Sequence, residues 1–364
     1  MRTVILWLFT LFFVATASSE MDAASFKLVR RYGQPIKDRQ KATAGRILFA
    51  SWIDDDSIVF NSDAGSIVCL SIKDGKIKWS VNGVKEIEDW SVSRGANRLA
   101  YLAASRIYVV DGKDGRKIFE SSGDDLARLM RIDSVLPSCL TLSPKNGRLI
   151  ICSSSYSYGR NGYVLDPSYR KLLTTFDTDA WPHDVSLSPD GRYVSVIAYK
   201  NVLNVRDVTN NCDVFFRGSR IVVDPKTLWN PKTMTGSVPP IEIVIDGAFF
   251  SHIRYDGRKT VVYSEDGSSN ASGEVFVRDL CSKQVNKFDA HNGHIEMDVD
   301  FNTRHIILTG TSRNLTLVDF DGRKLAHATA VTMQRNLCVE FSPSGKYVLV
   351  GSWDNTLSVF KIGE

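Results

Sequence analysis

Along most of the chain, short apolar runs alternate with polar positions and are broken by Asp-Gly, Asn-Gly and Ser-Pro-x-Gly punctuation. The runs are rich in Val, Ile, Tyr and Phe, which fit a pleated, half-buried surface. Long helical periodicity is absent after the N-terminal segment. The pattern predicts an all-β chain of antiparallel hairpins. Three segments state it most clearly: LTLSPKNGRLIIC from Leu140, VSLSPDGRYVSVI from Val185 and VEFSPSGKYVLVG from Val339. Each is an apolar strand, a Ser-Pro turn with Gly, a basic residue and a second apolar strand. Pro presets φ in such a turn and Gly tolerates a positive φ, so the hairpin has a mechanism.

Looser copies begin at Phe49, Trp90, Ser251 and Met297, which makes seven hairpins. A third strand follows, as in Arg106 to Gly112, Val202 to Val208, Glu274 to Leu280 and Leu315 to Gly322, and then a fourth. Units of four strands at about 40 to 50 residues have the period of a β-propeller, in which sheets that cannot bury both faces alone stack around an axis. The expected fold is a seven-bladed propeller of four-stranded antiparallel blades. The final strand, Thr356 to Lys361, has no fourth strand after it, and Phe26 to Tyr32 is a spare. The two ends are expected to pair and close the ring.

The start of the chain departs from this pattern. Met1-Arg2 precedes an apolar run from Val4 to Val14, and Ala15-Thr16-Ala17 places small residues where a signal peptidase reads. Residues 1–17 are expected to be a signal peptide cut near Ala17, leaving 18–364 as one exported domain, periplasmic or extracellular. The run is shorter than the roughly 20 residues of a membrane span, and no later stretch is apolar enough for one.

The last unit, GSWDNTLSVFKI (Gly351 to Ile362), resembles the WD-repeat propellers: Asp354 stands at the turn Asp and Phe360 at the usual Trp position. Gly293-His294 stands where that family's Gly-His pair opens a blade. Elsewhere the Trp-Asp pair becomes Val110-Asp111, Arg206-Asp207, Arg278-Asp279 and Val318-Asp319. The resemblance covers about residues 26 to 364 and implies the fold and a binding platform. The first unit, IKDGKIKWS (Ile72 to Ser80), looks more like a quinoprotein-type propeller, whose repeats end in Gly-Lys-x-x-Trp. That likeness implies the competing reading, a quinoprotein-like dehydrogenase or propeller hydrolase with its site at the channel mouth. One blade alone has the motif in full, and no vicinal cysteines or ligand set accompany it, so the expectation is a non-catalytic scaffold without a cofactor.

Two stretches break the repeat: a lengthened loop over 153–162 in the third unit and an insertion over 219–247 between the fourth and fifth. Long loops carry function more often than short ones. Both emerge on the same rim as the connection over 175–184. Tyr156, Tyr158, Arg160, Trp181, His183 and Trp229 are therefore the candidate binding residues, aromatic and Arg side chains being the usual anchors of protein interfaces. The same aromatics could equally plug gaps between blades. The expected partner is a protein or peptide, bound by a monomer.

Charge excludes little: the net formal charge is +4, with no Lys/Arg run to track a phosphate backbone, so nucleic acid is not expected. Among six histidines, His291 and His294 are spaced for a metal but lack further ligands, so none is assigned. The acidic runs Asp54-Asp55-Asp56 and Asp124-Asp125 read as solvated turns. Sequons stand at Asn270 and Asn314. Of six cysteines, Cys139 and Cys152 flank the SPKNG turn. If Ser143 faces Arg148, they face each other, and a disulfide between them is possible.

Overall fold

The computed structural model describes residues 25–33, 46–62, 65–84, 86–154, 161–176, 182–187, 193–198, 202–207, 212–214, 249–255, 259–265, 274–279, 285–289, 295–329, 331–332 and 335–363. The outermost strand of one sheet is β1 (Phe26–Tyr32), which precedes everything else. The first sheet in chain order is β2 (Ile47–Asp54), β3 (Ser57–Ser62), β4 (Ser66–Ser71) and β5 (Ile77–Asn82). The second is β6 (Ile87–Ser93), β7 (Arg98–Ala103), β8 (Arg106–Asp111) and β9 (Lys117–Ser122). A helix, α1 (Gly123–Met130), leads to the third sheet: β10 (Pro137–Leu142), β11 (Leu149–Ser153), β12 (Gly162–Leu165) and β13 (Leu172–Phe176).

The fourth sheet is β14 (Pro182–Leu187), β15 (Tyr193–Ala198), β16 (Val202–Asp207) and β17 (Cys212–Val214). The fifth is β18 (Phe249–Tyr255), β19 (Lys259–Glu265), β20 (Glu274–Asp279) and β21 (Val285–Asp289). The sixth is β22 (Ile295–Asp300), β23 (His305–Gly310), β24 (Leu315–Asp319) and β25 (Lys324–Ala328). The last comprises β26 (Asn336–Phe341), β27 (Tyr347–Ser352), β28 (Leu357–Ile362) and β1, which pairs antiparallel with β28 from Phe26↔Ile362 to Tyr32↔Leu357. Every sheet is four-stranded and antiparallel between neighbours.

The sheets stand side by side as in a β-propeller. Each inner strand touches the next in the order β2, β6, β10, β14, β18, β22, β26, and β26 also touches β2. Alternation buries one face of a strand against each neighbouring sheet. The core is therefore a series of apolar seams. Ile53, Val59 and Cys69 of the first sheet meet Leu99 and Tyr101 of the second. Val185 and Val196 of the fourth meet Ile150 and Val164 of the third. Trp52 and Ile58 of the first meet Leu349 and Val359 of the last.

The Asp-Gly turns that punctuate the sequence also help to join sheets. Trp79 on β5 is buried and donates its indole N–H to the Gly112 carbonyl at 2.8 Å. Its ring lies on the turn at Gly115, where φ is +71° and a Cβ would come within 2.7 Å of the indole. Only glycine meets both demands cheaply. Gly322 repeats the arrangement under Phe288, with φ +80°. The Gly-Lys-x-x-Trp motif of the first sheet thus has a packing role.

One element departs from the sequence expectation. Asp124-Asp125 opens α1 and is not a free turn. Ser122 caps the helix, accepting from Asp125 N at 3.1 Å while the Asp125 carboxylate accepts from Ser122 N. Such a reciprocal cap satisfies two orphan amides, and the acids lie at the favourable end of the helix dipole. Leu126, Ala127 and Met130 pack the helix onto the seam between the second and third sheets.

Candidate functional site

A cavity of about 860 Å³ is lined by residues of β2, β6, β10, β14, β22 and β26 and forms a channel between these inner strands. Because side chains alternate along a strand, these inner strands turn alternate residues toward this space. Among the described residues its wall carries six carboxylates, Asp89, Asp184, Glu296, Asp298, Asp300 and Glu340, against one cation, Arg94. The lining is thus acidic in a chain whose net charge is +4.

Several of these side chains bond to the neighbouring sheet. The Asp89 carboxylate accepts from Leu140 N at 2.6 Å, from β6 to β10. Ser91, one step down the same strand, accepts from Leu142 N at 3.0 Å. Asp298 on β22 accepts from Phe341 N on β26 at 2.8 Å. Glu340 on β26 accepts from Trp52 N on β2 at 3.4 Å, and the Trp52 indole returns a bond to the Glu340 carbonyl at 3.2 Å. The inner strand of any sheet has an unpaired backbone edge. Here a polar side chain of the preceding sheet supplies the missing acceptor, so that buried amides are satisfied.

Arg94 reaches further. From the turn after β6 it passes the first sheet, donating to the Trp52 carbonyl at 3.3 Å, and ends on the last sheet at the Glu340 carboxylate and the Phe341 carbonyl. Burial pushes the Glu340 carboxyl above its ordinary range and Asp298 reinforces this, while Arg94 opposes it. Among the described residues no three His, Cys, Asp or Glu side chains converge to hold a metal ion.

The register places Cys139 directly opposite Cys152, with Ser143 N bonded to the Arg148 carbonyl as the SPKNG turn requires. Both cysteines are free thiols in this structure, buried in the seam between the third and fourth sheets. The Cys139 thiol is raised well above its ordinary pKa by its hydrogen bond with Cys152, then by burial and by the charges of Asp89 and Asp184. Oxidation proceeds through a thiolate, which this setting opposes.

Of the six rim residues, Tyr156, Tyr158, Arg160, Trp181 and Trp229 lie outside the described residues. His183 lies on β14, its side chain outside the description. Gly293, His294 and the segment 1–17 lie outside it too. The channel carboxylates went unread in the sequence. In IEDWSVS and IEMDVD they occupy the polar positions of an alternating strand, which locally look like any solvent-facing acid.

A family model described as "WD domain, G-beta repeat" matches residues 323–361. That span holds β25 to β28: the outer strand of one sheet and the three inner strands of the next. The repeat is therefore offset by one strand from the sheet, which leaves the last sheet a strand short until β1 is added. Among solved structures, the WD40 β-propeller domain of Doa1 is similar, with a TM-score of 0.61 at 14% identity, covering 92% of this chain and 97% of that one. No curated protein matches the chain by sequence. Within the matched repeat, Asp354 is buried in the turn after β27 and accepts from Thr356 N at 3.1 Å, and Phe360 is buried on β28. The fold is that of a WD-repeat propeller.

Proposed function

We propose that the chain is a non-catalytic scaffold, a monomeric seven-bladed ring formed by residues 18–364 after export, that holds a partner protein on its loop-bearing face. The observation that carries this reading is the use of the channel wall: Asp89, Ser91, Asp298 and Glu340 all accept backbone amides of the adjacent sheet. Side chains engaged in joining sheets serve the framework. Recognition then falls to the ends of the sheets, where the turns between second and third strands and the sheet-to-sheet connections emerge together. The lengthened loop over 153–162 and the insertion over 219–247 are assigned to that face from strand order in the sequence, and Tyr156, Tyr158, Arg160, Trp181, His183 and Trp229 are its sequence-based contacts. The motif that suggested the alternative, a quinoprotein-like dehydrogenase or propeller hydrolase, places Trp79 against Gly115 as packing between sheets.

The test is crosslinking and recovery of a partner from the native compartment by wild type and by Trp181→Ala/Trp229→Ala. Loss of the partner in the variant is expected; equal recovery would remove this face. Ring closure is tested separately by deleting residues 18–34, which takes away β1. A markedly lower melting temperature is expected, and an unchanged one would contradict closure.

A further inference from the structure

A different corner of the loop-bearing face has the chemistry of a recognition site. Trp353 sits in the turn between β27 and β28, half-buried. Two guanidinium groups lie against its indole: Arg46, at the start of β2, with its carbon 4.5 Å from the ring centroid, and Arg335, just before β26, at 4.8 Å. The three residues span chain positions 46 to 353, so the cluster is a product of the fold. It is built firmly. Trp353 N donates to the Arg335 carbonyl at 3.0 Å, and Ser352 Oγ donates to the same carbonyl at 3.1 Å. The backbone that carries Arg335 is thereby fixed to the turn that carries the indole.

Arg335 differs from Arg94 in how its charge is engaged. Among the described residues its guanidinium makes no hydrogen bond or ion pair; its contact is the indole face. A cation stacked on an indole is held in place while the edge of its planar fork stays available to a carboxylate. The adjacent Asp354 carboxylate is buried and engaged with the Thr356 amide and hydroxyl of its own turn.

We propose that Arg335, held on the Trp353 indole whose ring Arg46 also covers, is the principal contact of a docking site for an acidic segment of a partner protein. A carboxylate on an extended segment presents two oxygens that the planar fork of Arg335 can meet with two parallel hydrogen bonds. The inference rests on the scaffold reading but names a corner of the face and a partner chemistry that the reading leaves open.

Binding of a short fluorescein-labelled peptide of alternating Glu and Gly, read by anisotropy, tests it. A peptide of alternating Lys and Gly serves as control, and each variant's melting curve is recorded to show that it is folded. Wild type should bind the Glu peptide saturably and more weakly as salt rises. Arg335→Glu, which leaves the framework bonds intact, should weaken it by about tenfold or more. Arg335→Lys should fall between the two, because it keeps the charge and loses the planar fork. Equal affinity of wild type and Arg335→Glu, absence of saturable binding, or equal binding of the Lys peptide would overturn the proposal. So would displacement of the peptide by inorganic phosphate at matched concentration, which would reassign the corner to a simple anion. Failure here, with partner recovery still dependent on Trp181 and Trp229, would leave the scaffold reading standing; the converse pattern would separate them the other way.

Discussion

The channel wall and the Trp353 corner both concentrate charge, and they use it in opposite ways. In the wall, carboxylates of one sheet accept the backbone amides of the next, and Arg94 ties three sheets together through Trp52 and Glu340. At the corner, the Arg335 guanidinium rests on an indole with no hydrogen-bond or ion-pair partner among the described residues. A charged group already engaged by the framework has little to offer a ligand, whereas one held in place without engagement has its directional bonds in reserve. The charge of a side chain therefore says less about function than what it is already bonded to.

Substitutions should separate the two regions. Trp52→Ala should have the largest effect. Trp52 is fully buried behind the wall and links the first sheet to the last through Glu340. Its loss should cost about 3–5 kcal/mol, read by chemical denaturation. Asp89→Ala comes next. It leaves Leu140 N and Trp90 N without this acceptor, and should cost about 1–3 kcal/mol. A loss below about 0.5 kcal/mol would place Asp89 outside the framework.

Glu340 supplies a pH test. A carboxyl with a raised folded pKa favours its protonated form in the fold, so its contribution to stability is largest below the ordinary Glu value of about 4.3 and declines as pH climbs through that value toward the raised one. The stability of wild type minus that of Glu340→Gln should therefore shrink as pH rises from about 4 to 7. A difference that grows over this range would mean that Arg94 outweighs burial. Arg335→Ala should have the smallest effect on the fold, within about 0.5 kcal/mol, while impairing acidic-peptide binding. A large destabilisation would place Arg335 with the framework and erase the contrast.

Much of the fold was legible because its signals are local. Ser-Pro and Asp-Gly turns mark hairpins within a few residues, and a spare strand at Phe26 facing a missing one after Ile362 is a matter of strand counting. The opposition of Cys139 and Cys152 followed from a single turn, although the thiols stayed free. The helix α1 was missed despite its local sign: Ser122 and Asp125 have capping-box spacing, and Leu126 and Met130 share a face. A helix of eight residues between two strands is held mainly by tertiary packing, which periodicity hardly registers. The site was less legible for a different reason. Asp89 and Leu140, or Arg46 and Trp353, meet only when sheets stand side by side. Nothing in a strand such as IEDWSVS distinguishes an acid that will meet a neighbouring amide from one that will meet water.

Amide hydrogen exchange, resolved by residue, addresses the side-by-side arrangement most directly. The Leu140 and Phe341 amides lie on unpaired inner edges and are protected only if Asp89 and Asp298 of the preceding sheets reach them. Both should exchange slowly in the wild type, and Asp89→Ala should release Leu140 while leaving Phe341 protected. Fast exchange at both positions in the wild type, or a Leu140 amide indifferent to the loss of Asp89, would contradict a framework in which side chains fasten neighbouring sheets along their inner edges.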